Sequence, residues 1–244
     1  MKKLYTDLFL CPNLNDSKHT LNMLAKVANL GFKQVGIAFK PNCTPQEIKQ
    51  VQQMCEEVEL DLATRVNLNP RTPNDLLSSL RKLRRRFEIV AVTCDSKNVS
   101  RQAAKDRRVD LINFSSPDFH KRFFDLAEAE LASNALTALE IVIKPLLTTE
   151  GPQRARLLSN LRKEAEIAKN FDVPIVISSA VSDEILLRKP VELASLASLF
   201  DLDKNTALKA VSQIPQTIVK RNREKLSQNF VAPGIRVVKK GKDC

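Results

Sequence analysis

Tryptophan is absent from this sequence, tyrosine occurs once, histidine twice and glycine five times in 244 residues. Each shortage excludes something. With a single tyrosine and no tryptophan there is little material for the aromatic platforms on which nucleobases stack. His19 and His120 stand far apart, so neither a His-x-His metal pair nor a Ser-His-Asp or Cys-His constellation can be assembled. No Gly-rich run follows a strand to cradle a phosphate or a dinucleotide. No apolar run reaches membrane-spanning length, and the N-terminus lacks the apolar core of a signal peptide, so a soluble cytoplasmic protein without a membrane partner is expected. The five cysteines, Cys11, Cys43, Cys55, Cys94 and Cys244, are odd in number and form no Cys-x-x-Cys pair. That pattern suits a reducing compartment. Cys11, Cys43 and Cys94 fall near predicted strand ends and could converge, but burial as small apolar side chains is the usual fate of free cysteine.

What the chain has in excess is positive charge. Thirty-nine Lys and Arg face 28 Asp and Glu, a net charge of +11. An excess of this size, clustered at Arg81–Arg86, Arg101–Arg108, Lys121–Arg122 and Arg154–Lys163, points to a polyanionic partner. No basic helix has a large aromatic face, which favours nucleic acid over membrane. Arginine forks suit phosphate contacts, so binding to backbone and shape is expected.

Short apolar strands alternate with amphipathic helices at a period of about 22–36 residues. Predicted strands are Tyr5–Leu10, Gln34–Phe39, Asp61–Leu68, Glu88–Thr93, Asp110–Phe114, Leu139–Ile143 and Val173–Ser178. Between them run helical faces such as Leu21, Leu24, Ala25 and Ala28, or Ile48, Val51, Cys55 and Val58. Thr44-Pro45-x-Glu47 reads as a capping box and Thr72-Pro73-x-Asp75 imitates it. Pro215 is expected to stop the helix capped by Asp203 or Asn205, with a last short basic helix at Ile218–Leu226. The fold class is therefore α/β: a single TIM-like (β/α) barrel over residues 1–230, with seven strands and imperfect closure, followed by a basic tail at 231–244. A doubly wound open sheet is the alternative.

Several of these segments resemble one family. Ser178-Ser179, Leu187-Arg188-Lys189-Pro190 and Pro215-Gln216-Thr217-Ile218-Val219-Lys220-Arg221 follow the order of the C-terminal signature of ribonuclease P protein component 3. Ala180 stands where that family often has glycine. Asp7-Leu8 with Pro12, Gly31-Phe32, and Arg108-Val109-Asp110-Leu111 through Ser116-Pro117 extend the resemblance over nearly the whole chain. The resemblance implies a TIM-like barrel related to the polymerase and histidinol phosphatase metallohydrolases. It also implies a subunit that stabilises the catalytic RNA of ribonuclease P, which removes the 5′ leader of precursor tRNA. Cleavage would then belong to metal ions on the RNA, with Mg²⁺ required there and no cofactor on the protein. Expected partners are that RNA, component 2 in a heterodimer or a 2:2 heterotetramer, and precursor tRNA indirectly.

The residues themselves leave a competing class open, a stand-alone barrel enzyme. The first strand has no histidine for a metallohydrolase. Lys144, at the end of the sixth strand, is the candidate for a Schiff-base lyase, with Asp7, Asp110 or Glu140 as neighbours. Neither reading yields a catalytic or metal-binding set. The expected RNA-facing residues are Lys40, Arg71, Lys97, Arg101, Lys121 and Lys144, which follow the second to sixth strands in turn and so ring one mouth of the barrel, with Arg188 joining from the seventh. The Arg84–Arg86 cluster at the end of the third helix is the competing surface.

Overall fold

Thr44 and Thr72 each accept the amide of the residue three positions on, and Glu47 and Asp75 reach back to the cap amide, so both expected capping boxes form with proline in the first turn. These starts recur around a barrel. The computed structural model describes residues 4–116, 118–232 and 235–236. Seven strands, β1 (Tyr5–Leu10), β2 (Phe32–Phe39), β3 (Asp61–Leu68), β4 (Ile89–Thr93), β5 (Leu111–Asn113), β6 (Ala138–Val142) and β7 (Ile175–Ser178), pair in parallel in the order of the sequence. Between and after them lie α1 (Ser17–Asn29), α2 (Pro45–Glu57), α3 (Pro73–Leu83), α4 (Lys97–Lys105), α5 (Leu126–Ala135), α6 (Lys144–Thr148), α7 (Gly151–Asn170), α8 (Pro190–Leu196), α9 (Lys204–Ala210) and α10 (Gln213–Leu226). A hairpin of β8 (Phe230–Ala232) and β9 (Ile235–Arg236) follows. Most of the basic tail expected at 231–244 lies outside the described residues, as does Cys244. Cys43, Cys55 and Cys94 are buried and Cys11 half-buried, all free thiols.

Alternation along the strands separates two cores. Val35, Ile37 and Phe39 of β2 look outward to the helices and belong to the large core, while Leu8, Ala63, Ile89, Ala91, Leu111, Ala138 and Val176 fill the lower barrel interior. From below, Ile218 and Val219 of α10 join that inner cluster, so α10 plugs the N-terminal end. Arg223 of the plug donates to the Asp61 carboxylate at 2.8 Å and to Glu88 at 2.5 Å, at the starts of β3 and β4. Pro215 does not stop a helix as expected. It sits in the first turn of α10, where the missing amide costs nothing.

Closure between β1 and β7 is incomplete. Strand pairing there is limited to one bridge, Leu10 to Val181, and the gap is stitched by side chains. The Asp7 carboxylate accepts the amides of Phe9 and Ser179, each at 3.1 Å, and Ser179 Oγ donates to the Phe9 carbonyl. Ala180 donates its amide to the same carbonyl at 2.8 Å, which it achieves only in the left-handed region at φ 53°. On the other side of β1, an extra residue between Asp7 and Leu10 bulges the strand against β2. Gly36 makes room for it, since a Cβ there would collide with the backbone of Leu8.

Burial raises the Asp7 pKa from 3.8 to about 6, against the hydrogen bonds from Ser179 and Phe9 and with the help of the Glu140 charge. The native state therefore holds this proton more tightly than the unfolded chain. Its contribution to stability is complete below about pH 4 and is lost as pH rises through 6. Asp7→Asn keeps the acceptor and removes the titration, so in urea unfolding it gains on the wild type as pH rises from 4 to 7. Asp7→Ala loses about 1–3 kcal/mol at pH 4 because two buried amides go unpaired, and since it too lacks the titration its deficit shrinks as pH rises. A gain at low pH instead would place the charge, not the acceptor, at the seam. At the neighbouring position, Ala180→Gly should raise stability by up to about 1 kcal/mol by releasing the left-handed alanine.

Candidate functional site

Barrel enzymes place their chemistry at the C-terminal ends of the strands. Here that level of the interior holds a charged pair. One residue pair above the apolar layer, β3 turns Arg65 inward, β5 Asn113, β6 Glu140 and β7 Ser178. Arg65 and Glu140 bond bidentately at 2.5 and 2.6 Å, and both side chains are fully buried. Arg65 also donates to the Leu8 carbonyl at 2.9 Å and to Asn67 at 2.7 Å. Glu140 receives Asn113 Nδ2 at 2.8 Å and Ser178 Oγ at 2.7 Å besides. Its four acceptor positions are then in use. The bulged Phe9 lays its ring over the guanidinium at 3.8 Å and covers it from above. Burial alone would raise the Glu140 pKa, but Arg65 and the hydrogen bonds outweigh it and hold the carboxyl below its ordinary range.

Lys144, the lyase candidate, is half-buried at the rim with Nζ 3.1 Å from Ser182 Oγ. Cys11 lies near it, its thiol pushed up first by burial, with Arg65 and Lys144 opposing. Among the described residues no group of three or more His, Cys, Asp or Glu side chains could hold a metal ion. His19 belongs to the first turn of α1 and His120 to a short 3-10 turn between β5 and α5.

The seven expected RNA-facing cations divide into two kinds. Lys40, Arg71, Lys97 and Lys121 are exposed on the loops and helix starts that follow β2, β3, β4 and β5. Lys40 lines a cavity of about 410 Å³ between the first two strand-helix loops, and Arg71 a cleft with Asp95 and Ser96. Lys97 shares a further groove with His120 and Lys163. The other kind is tied to the protein. Arg101 is held by Asp125 and by Glu128, all at 2.6 Å, and Arg188 donates to the carbonyls of Ile185 and Leu187. Glu128 is itself buried, which raises its pKa to about 6 against the bonds from Ser100 and Arg101. In the competing cluster Arg84 pairs with Asp110 at 3.2 Å and Arg86 holds the carbonyls of Pro41 and Cys43.

The interior pair was not singled out by sequence reasoning, although Arg65 is a lone cation inside Asp-Leu-Ala-Thr-Arg-Val-Asn-Leu, in phase with Ala63 and Asn67. Period-2 phasing against an inward alanine was the available signal. Removing one partner leaves an uncompensated buried charge, so Arg65→Met or Glu140→Leu alone should cost about 3–5 kcal/mol in denaturant unfolding. The double variant should recover much of that loss. If it is as unstable as the worse single variant, the pair is not an isolated electrostatic unit.

The sequence and the fold match known proteins over most of their length. Ribonuclease P protein component 3 of Methanosarcina barkeri is 32% identical over 228 residues, covering 93% of this chain and 92% of that protein. Its counterpart in Methanosarcina acetivorans is 32% identical over 173 residues, 71% of each chain. Among solved structures, a chain of the cryo-EM structure of archaeal ribonuclease P with mature tRNA superposes with a TM-score of 0.84 at 22% identity, covering 97% of this chain and 99% of that one. The family model for RNase P subunit p30 matches residues 5–227. That span opens with β1 and closes just past α10, so it takes in barrel, seam and plug together, and the chain belongs to the RNase P subunit p30 family.

Proposed function

We propose that this chain is a protein subunit of ribonuclease P that binds and stabilises the particle's RNA while the RNA removes the 5′ leader of precursor tRNA. The observation that carries the subunit reading is family membership across the whole barrel. What supports a non-catalytic role is the saturated interior: Glu140 has no acceptor position left for a substrate, and Arg65 is capped by Phe9. In this reading Mg²⁺ serves the RNA, and the protein holds no cofactor of its own. The chain works beside component 2, as a heterodimer or a 2:2 heterotetramer, meets precursor tRNA indirectly, and acts in the cytoplasm. No helix among the described residues is long and apolar enough to cross a membrane.

RNA contact is assigned to the rim. Lys40, Arg71, Lys97 and Lys121 are exposed cations there, with Lys144, Arg101 and Arg188 completing the ring. Each exposed cation adds a phosphate contact and offsets repulsion between phosphates brought together in the compact RNA. The triple variant Lys40→Ala/Arg71→Ala/Lys121→Ala avoids the internally bonded arginines. It should lose about tenfold or more in reconstituted leader cleavage at low Mg²⁺, recover as Mg²⁺ rises, and lower the salt slope of RNA binding by about three. Its melting temperature should stay within a few degrees of the wild type. Normal reconstitution at low Mg²⁺ would remove the rim from the reading. Leader cleavage by the protein without RNA would overturn the non-catalytic role.

A further inference from the structure

At the N-terminal end of the barrel, opposite the rim, four cations gather around Asp110. Elsewhere several partly or fully buried arginines have carboxylates of their own: Arg65 has Glu140, Arg122 has Glu164, Arg101 has Asp125 and Glu128, and Arg223 has Asp61 and Glu88. Around Asp110 the ratio is reversed. Arg84 from the end of α3 and Arg221 from α10 share that one carboxylate, each at 3.2 Å, and Asn222 Nδ2 donates a further bond to it at 2.8 Å. Lys225, one turn beyond Arg221 on α10, is half-buried and lies in no ion pair among the described residues. Arg107, in the exposed turn between α4 and β5, adds a fourth positive charge.

Helix C-termini favour cations by about 0.3–1 kcal/mol, and α3, α4 and α10 all end here. That effect explains one basic residue per helix end. It does not explain cations that disfavour one another. Burial first, then Arg221, Arg84 and Arg107, hold the Lys225 pKa below the ordinary lysine range against the opposing pull of Asp110. The folded chain therefore keeps Lys225 charged at a cost, and an external anion would relieve it. Arg221 supports the same view, because its Nε is buried without a partner while its two other nitrogens reach Asp110 and the Leu136 carbonyl.

We propose that this end of the barrel is a second contact for the RNA phosphate backbone, made by Lys225 and Arg107 with Arg84 and Arg221 behind them. The proposal rests on the subunit reading above and adds a surface at the opposite end from the rim. An RNA touching both ends spans the barrel along its axis instead of resting on one mouth, which gives a protein with few aromatic side chains a way to read shape.

The test uses the full chain and the ribonuclease P RNA in a binding titration over a range of salt. Arg107→Gln/Lys225→Gln removes the two residues that hold no carboxylate, leaving Asp110 and its two arginines in place. The double variant should bind about tenfold more weakly near physiological salt, with the salt slope reduced by about two. Its melting temperature should be unchanged or higher, since mutual repulsion is relieved, and Lys225→Arg should bind as the wild type does. A matched variant, Lys49→Gln/Lys204→Gln, removes the same net charge at exposed positions of α2 and α9 that belong to neither proposed contact. Equal loss in the two doubles overturns the proposal, because net charge alone would then account for the effect, and so does normal binding by the Arg107/Lys225 variant. No measurable binding by the wild type would instead overturn the subunit reading itself.

Discussion

A fully buried arginine in the middle of a barrel governs the rest of this structure. Taking Arg65 and Glu140 out of water costs several kcal/mol per ion, and only near-ideal geometry with every remaining donor and acceptor used can offset it. Those conditions fix the neighbours. Asn113 and Ser178 must sit level with Glu140 on β5 and β7, and the Leu8 carbonyl must lean inward to accept from Arg65. The layer below has to be narrow, and it is built largely from Ala63, Ala91 and Ala138 with Leu and Ile between. Above, Phe9 covers the guanidinium, which it reaches only because β1 is bulged. A position that carries catalysis in other barrels has become the structural centre of this one.

The bulge connects that centre to the seam. An extra residue in β1 turns Leu8 and Phe9 toward the axis and shifts the register of β1 against β2, and toward β7 only the Leu10–Val181 bridge forms among the described residues. What replaces the ladder is a carboxylate. Asp7 gathers the amides of Phe9 and Ser179, so the aspartate of the first strand and the serine pair of the last one are two halves of a single closure. Opening at the seam is limited further by α10, whose Arg223 clamps the starts of β3 and β4 while Ile218 and Val219 fill the floor. The segment after β7 is therefore part of the barrel and not an appendage to it.

Much of this was legible in the chain, and for a definite reason. Strand positions, the seven-fold alternation and the proline-led capping boxes are local properties, set by period-2 and period-3.6 patterns and by four-residue caps. Incomplete closure could be anticipated by counting strands. The partner of a buried charge is a different matter, since Arg65 and Glu140 are separated by 75 residues and either alone reads as an ordinary strand polar residue. Pro215 misled because proline at a helix start and proline past a helix end look alike without the neighbouring turn. That Lys40, Arg71, Lys97 and Lys121 share one rim follows from topology, because parallel strands deliver every following loop to the same end. Topology could not tell that Arg101, in the same series, is already held by Asp125 and Glu128.

Positive charge in this protein thus has two uses, separated by whether an acid was built beside it. Where a carboxylate is present the arginine works as a structural fork, tying α4 to α5 through Arg101, the 3-10 turn to α7 through Arg122, and the plug to the barrel through Arg223. Five-donor geometry suits that work, and none of those forks has much charge to offer a partner. Among the cations left over, Lys40, Arg71, Lys97 and Lys121 lie on the rim and Arg107 and Lys225 near Asp110, at opposite ends of the same strands. Net charge by itself would spread attraction over the whole surface. Neutralising several arginines internally weakens that attraction on the flanks, so on the proposed reading a folded polyanion would be held by the two ends in preference to sliding over a uniformly basic shell.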